Sequence, residues 1–287
     1  MKQLTIISGK GGTGKTSITA AFASITKNAV LADCDVDAAD LHLILKPNIN
    51  KISGFHGLEI ADINKDLCID CKKCYEYCKF DAIDEKINLA KERCEGCGVC
   101  QLVCPVDAIT MKERDSGFSY ISETRFGPMA HAMLKTAEEA SGKLVTVVRE
   151  NAKTLAKEKN KEIIIIDGPP GIGCPVISSI TGVDLVLIVT EPTLSAIHDL
   201  ERIIDVAKHF KIPAVICINK CDINNENTEK IENYCKTNNI DIVGKLSYDT
   251  IITDAMIHEQ SVIEYSDGKL SNKIVDMWDK IEKRLIV

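Results

Sequence analysis

Short apolar runs, rich in β-branched residues, recur along the chain. They are LTIIS (4–8), AVLAD (29–33), EIIIID (162–167), DLVLIVT (184–190) and PAVICIN (213–219). Runs this short and this continuously apolar predict strands buried on both faces. Between them lie stretches with helical spacing, such as SITAAFASITK (17–27) and SAIHDLERIIDVAKHF (195–210). Strands alternating with helices predict an α/β fold, a mostly parallel sheet with helices on both faces. Ligand groups then gather at the carboxyl ends of the strands. Gly9, Asp35, Asp167 and Asn219 all fall at such ends. FSYIS (118–122) and KLVTVVRE (143–150) read as two further strands, NNENTEK (224–230) as a loop, and KIVDMWDKIEKRL (273–285) as a packed amphipathic helix.

The first strand runs into Gly9-Lys10-Gly11-Gly12-Thr13-Gly14-Lys15-Thr16-Ser17. Gly9 to Thr16 matches G-x-x-x-x-G-K-[ST], with a strand before it and a helix after it. Glycines let the backbone curl so that its N–H groups face phosphate oxygens, and the helix N-terminus adds a favourable dipole. Lys15 is placed to reach the β- and γ-phosphates and the Thr16 hydroxyl to bind Mg²⁺. Lys10 is a second lysine that this chemistry does not require.

Composition adds one departure from an ordinary globular chain. Of 287 residues, 45% are hydrophobic and 27% charged, with a formal net charge of −7. That charge, with no basic cluster, speaks against a nucleic-acid binder that neutralises phosphates. No apolar run is long enough for a membrane helix, and the first residues lead directly into a strand rather than a signal peptide. Cysteines number 13, and eight of them lie between Cys68 and Cys104. Such clustering without an export signal predicts metal binding in a reducing cytoplasm rather than disulfides.

The eight form two blocks repeated at 26 residues. Cys68, Cys71, Cys74 and Cys78 spell C-x₂-C-x₂-C-x₃-C, as do Cys94, Cys97, Cys100 and Cys104, and both blocks continue to Asp-Ala-Ile. The pattern resembles that of bacterial ferredoxins with two [4Fe–4S] clusters, in which the fourth cysteine of each block serves the other cluster. The resemblance implies one cluster on Cys68, Cys71, Cys74 and Cys104 and another on Cys94, Cys97, Cys100 and Cys78. Zinc fits these tight runs poorly. Lys79 stands where the ferredoxin pattern has proline after the fourth cysteine. The expected insert is 62–113, within an ATPase domain made of 1–61 and 114–287.

KGGTGKT, ADCDVDAADLHL, IIIIDGPPG and VTEPT together resemble the MinD, ParA and nitrogenase-iron-protein group of P-loop ATPases. That resemblance implies an ATP-dependent homodimer in which Lys10 crosses to the partner's nucleotide. It implies that Asp35 orients the attacking water, that Asp167 binds Mg²⁺ through a water, and that Gly168–Gly171 sense the γ-phosphate. Asn219-Lys220-Cys221-Asp222 leaves the base open. N-K-x-D reads guanine through its aspartate in GTPases, whereas related ATPases set an asparagine against adenine. Cys34, Cys217, Cys221 and Cys235 read as small apolar residues. Cys174, seven residues after Asp167, is a candidate for a metal or redox group on a dimer axis.

The function expected from these features is an ATP-hydrolysing iron–sulfur protein that passes low-potential electrons to a redox or metallocofactor-assembly partner. The alternative is a carrier that delivers clusters without redox turnover.

Overall fold

The computed structural model of the chain describes residues 1–135 and 141–286. Contacts divide it into two units. The first comprises 1–52, 119–133 and 141–286, and the second comprises 53–118 with 134–135.

The chain opens with β1 (Lys2–Ser8), α1 (Lys15–Ile25), β2 (Ala29–Asp33) and the short α2 (Leu41–Leu45). Two long strands, β3 (Asn48–Ile63) and β4 (Ile109–Thr124), begin or end in the first unit and carry the chain into and out of the second. Between them lie α3 (Lys73–Tyr77) and α4 (Val99–Leu102). β5 (Gly127–Leu134), α5 (Ser141–Glu158), β6 (Ile163–Pro170), α6 (Cys174–Ile180) and β7 (Leu185–Thr190) follow. The remainder is α7 (Leu194–His209), β8 (Ala214–Ile218), α8 (Asn225–Thr237), β9 (Ile242–Lys245), α9 (Ile251–Ile257), α10 (Val262–Tyr265) and α11 (Lys269–Ile286).

The strands form one mixed, mostly parallel sheet in the order β3-β4-β5-β2-β6-β1-β7-β8-β9. β1 lies between β6 and β7, parallel to both, and β2 is parallel to β5 and β6. The pleat sends alternate residues of β1 to opposite faces. Leu4 and Ile6 join a core with Phe22 of α1 and Trp278 of α11, whose rings are 5.0 Å apart. Thr5 faces the other way and its hydroxyl donates to the Ser179 carbonyl of α6. Helices therefore cover both faces, and β1, β2 and β6 all end at one edge.

Two expectations fail. KLVTVVRE is not a strand but part of α5. Its valines suggest β structure, yet Leu144, Val145, Val148, Ala152, Leu155 and Ala156 are buried at helical spacing, and tertiary burial overrides the local preference. NNENTEK is not a loop. The Asn224 side chain accepts from Asn227 N and starts α8, so the polar run is a helix cap and first turns.

In the second unit the two cysteine blocks repeat in backbone as well as in sequence. Left-handed residues occur at matching positions: Asp70 and Gly96, Lys72 and Gly98, Asp81 and Asp107. Lys72 and Gly98 each precede a short helix, α3 and α4. Glycine is required at position 96, because a Cβ there would collide with the Glu59 carbonyl oxygen. The small core is Ala61, Cys74, Ile83, Ile87 and Ile109, with further cysteines packed against it.

Candidate nucleotide site and paired cysteine cavities

The glycine loop leaves β1 at Ser8, whose hydroxyl donates to the Lys10 carbonyl at 2.7 Å. Gly12 and Gly14 take positive φ, 77° and 95°, and α1 begins at Lys15. Asn219, just past β8, braces the loop: its side-chain amide donates to the Thr13 carbonyl at 2.8 Å. A Cβ on Gly14 would strike that same amide, so glycine is needed there both for φ and for space. Lys220 Nζ donates to the Gly12 carbonyl at 3.0 Å. Gly168, in β6, lies so close to β1 that a Cβ would meet the Ile6 carbonyl.

Acidic residues collect at the neighbouring strand ends. Lys15, 6% exposed, lies 3.5 Å from Asp35 Oδ2. Asp167 accepts from the Thr19 hydroxyl at 3.0 Å, and the Thr16 side chain also favours its charged form. Its other oxygen, Oδ2, is buried with no hydrogen-bond partner among the described residues. Burial raises the Asp167 carboxyl, although Lys15 and the two threonines pull it down. Burial likewise raises Asp35, to about 6, against the pull of Lys15 and with a further push from Asp167. Asp37 is exposed, and its charge adds a further push on Asp35.

Two residues here were not singled out from the sequence. Asp33 ends β2, is fully buried and accepts from the Asp35 and Leu41 backbone N–H groups. Its signal was the acidic end of AVLAD, two residues before Asp35. Glu191, just past β7, pairs with both Lys10 and Lys220, at 2.6 and 2.9 Å. Its signal was the charged residue at the strand end in VTEPT.

A cavity of about 220 Å³ opens beside the loop, lined in part by Gly12, Gly14, Ser17, Asn219, Lys220 and Tyr248. Asp222 is not in its lining. Its carboxylate accepts instead from the Tyr248 backbone N–H at 2.7 Å. A larger cavity, about 640 Å³, lies at the opposite strand ends, between Lys2, Asn28 and Trp278, and contains none of these groups. Cys34, Cys217 and Cys235 are buried, and Cys174 is exposed at the start of α6.

In the second unit the eight clustered cysteines divide between two cavities. Cys68, Cys71, Cys74 and Cys104 line one, with Ile63, Ile87 and Ile109. Cys78, Cys94, Cys97 and Cys100 line the other, with Phe80, Leu89 and Met111. Each cavity thus takes three cysteines from one block and one from the other. The Ala108 N–H donates to Cys104 Sγ at 3.2 Å. Burial raises the Cys74 and Cys100 thiols. Among the described residues no three Cys, His, Asp or Glu side chains stand close enough to hold a single metal ion.

The parallel sheet and the loop at the end of its β1 strand are those of a P-loop nucleotide-binding ATPase. The chain belongs to the CobQ/CobB/MinD/ParA nucleotide-binding domain family, whose description matches residues 4–262. An uncharacterised protein of Methanocaldococcus jannaschii is 38% identical over 286 residues, covering 98% of this chain and 96% of its own. The septum site-determining protein MinD of Bacillus subtilis is 24% identical over 270 residues, covering 90% and 81%. Among solved structures, MinD of Pyrococcus horikoshii complexed with Mg-ADP shares the fold. Its TM-score is 0.62 at 17% identity, covering 98% of this chain and 96% of that one. No helix among the described residues is long and apolar enough to cross a membrane.

Proposed function

We propose that this chain is an ATP-hydrolysing iron–sulfur protein. ATP holds two copies together, and a ferredoxin-like insert with two [4Fe–4S] clusters passes low-potential electrons to a redox or metallocofactor-assembly protein. The observation that carries this reading is the division of eight cysteines into two cavities, three from one block and one from the other in each.

The residues present fit both groups. For the metal–nucleotide, the partnerless Asp167 oxygen is a buried acceptor in need of a donor, and a water bound to Mg²⁺ would satisfy it. Thr16, whose side chain favours the charged form of Asp167, would ligate that ion directly. Lys15 would turn its ammonium to the β- and γ-phosphates. Asp35 would hold the attacking water, and Lys10 would reach the nucleotide of the partner. Gly168 to Gly171 connect Asp167 to α6 and would follow the γ-phosphate. The base would enter the cavity at Asn219 and Lys220, with Asp222 turned away, which favours adenine over guanine.

For the clusters, an iron–sulfur core holds its ligand sulfurs farther apart than one ion does. Two cavities, each walled by four thiols, suit such a core. Cys68, Cys71, Cys74 and Cys104 would hold one cluster, and Cys94, Cys97, Cys100 and Cys78 the other. When bound, such clusters supply one-electron redox chemistry at low potential. One observation favours the carrier alternative: each cavity has one exposed cysteine, Cys71 or Cys97, where an acceptor thiol has access.

Anaerobically purified protein, reduced and mixed with a low-potential acceptor, separates these readings. Electron passage that depends on ATP, with iron retained, supports the proposal. Iron transfer to an acceptor apoprotein without electron passage favours the carrier. Equal electron passage with ATP, ADP or no nucleotide defeats the coupling.

A further inference from the structure

Glu191 is 7% exposed, and its two carboxylate oxygens hold different lysines. Oε1 is 2.6 Å from Lys10 Nζ and Oε2 is 2.9 Å from Lys220 Nζ. Lys10 also donates to the Thr193 hydroxyl at 3.1 Å and reaches Ser195 Oγ at 3.5 Å. Lys220 donates to the Gly12 carbonyl. Both lysines are thus tied to the glycine loop, one by sequence and one by hydrogen bond. Burial opposes ionisation of Glu191, but the bonds from Lys10 and Lys220 outweigh it and hold the carboxyl below its ordinary value.

The geometry points to Glu191 as a positioning residue that holds Lys10 within its own chain and sets how readily that lysine crosses to a partner's nucleotide. The inference rests on the proposed crossing of Lys10. Its physical core is the second lysine. If Lys10 were the only cation on Glu191, its departure would strand a nearly buried carboxylate, which is strongly unfavourable. Lys220 remains paired when Lys10 leaves, so the carboxylate is never uncompensated. The hold on Lys10 is therefore firm but releasable, and ATP-dependent dimerisation must work against it.

The two flanking contacts then have opposite consequences. Glu191→Gln weakens the hold, frees Lys10 and favours the dimer. Lys220→Met leaves Glu191 with Lys10 alone, tightens the hold and opposes the dimer. A residue that only supports the fold would weaken dimerisation in both variants.

The test is sedimentation of the full iron-loaded chain over a range of protein concentrations, with a non-hydrolysable ATP analogue. Nucleotide affinity is measured separately for each variant so that every sample is saturated. Loss of one charge-assisted contact in each of the two chains predicts that Glu191→Gln dimerises at a roughly hundredfold lower concentration than wild type. Lys220→Met is expected to need a higher one. Lys10→Ala separates the two layers. If it dimerises as wild type does, the crossing of Lys10 fails. If it does not dimerise but Glu191→Gln needs the wild-type concentration or more, the crossing stands and the role of Glu191 is overturned. Wild-type protein gives a test that needs no folded variant. Without nucleotide, acetylation of the Lys10 amine is expected to be several-fold slower than that of exposed Lys27, and equal rates would overturn the inference.

Discussion

Asp33 and Asp167 stand side by side on β2 and β6, register partners and both fully buried. Burial, and then the charge of Asp167, hold the Asp33 carboxyl well above the usual range. Asp35 lies two residues further on, and Lys15, 3.5 Å from it, is the ammonium among them. Asp35 and Asp167 share this one lysine, with Asp33 buried beside them on backbone N–H groups, so the site is short of positive charge, which a divalent cation corrects.

This imbalance predicts a pH effect on the nucleotide-free protein. Asp35 is raised to about 6 in the folded chain, so between roughly pH 4 and 6 the folded state binds its proton more tightly than the unfolded state does. The contribution of Asp35 is present below pH 4 and lost as pH rises through 6. Thermal melts of wild type and Asp35→Asn should diverge across that window, with wild type losing about 1–2 kcal/mol relative to the variant, after allowance for solvent screening. Parallel melting curves would show that Asp35 titrates normally.

The two loop lysines should separate binding from assembly. Lys15→Ala is expected to weaken ATP binding at least about tenfold, since it removes a charge-assisted contact worth ~1.5–3 kcal/mol. Lys10→Ala should bind ATP within about threefold of wild type yet neither dimerise nor hydrolyse it. Titration calorimetry and phosphate release distinguish them. Normal hydrolysis by monomeric Lys10→Ala would reject the paired mechanism.

The cysteine cavities predict which losses go together. Iron should number about eight per wild-type chain. Cys104→Ser should perturb the same paramagnetic signal as Cys68→Ser, 36 residues away, and Cys78→Ser the same signal as Cys94→Ser. If each variant instead grouped with its own block, the pairing would be wrong, and zinc in place of iron would reject the clusters altogether.

Asp222 should not choose the base. Its carboxylate is engaged by the Tyr248 N–H, so Asp222→Ala is expected to cost about 1 kcal/mol of stability without shifting the preference for ATP over GTP. Competition binding with both nucleotides checks this, and a selective loss of GTP affinity in Asp222→Ala, with ATP affinity unchanged, would show that Asp222 reads guanine after all.

The alternation of apolar strands and helices was legible because buried parallel strands have little choice of residue. The glycine loop was legible because its spacing dictates a backbone path before any contact is known. Three things were not. Val145, Val147 and Val148 favour a strand locally, and it is the burial of Val145 and Val148 at helical spacing that makes the segment helical. Asp33 was silent because a carboxylate at a strand end usually faces solvent, and nothing local shows that this one is covered. Glu191 was silent because its meaning lies in two lysines, 181 and 29 positions away. In the cysteine blocks the repeat was plain, but the left-handed turn at Lys72 occupies a residue that does not announce it.

The crossing of cysteines between blocks has a bearing on how such a segment can change. Tandem repeats ordinarily tolerate the loss of one copy, since each copy is a unit in itself. Here deletion of either 26-residue copy would leave its twin with three cysteines on one wall and a lone fourth with no companions. The duplication is therefore indivisible. It can be inherited, moved or discarded only whole.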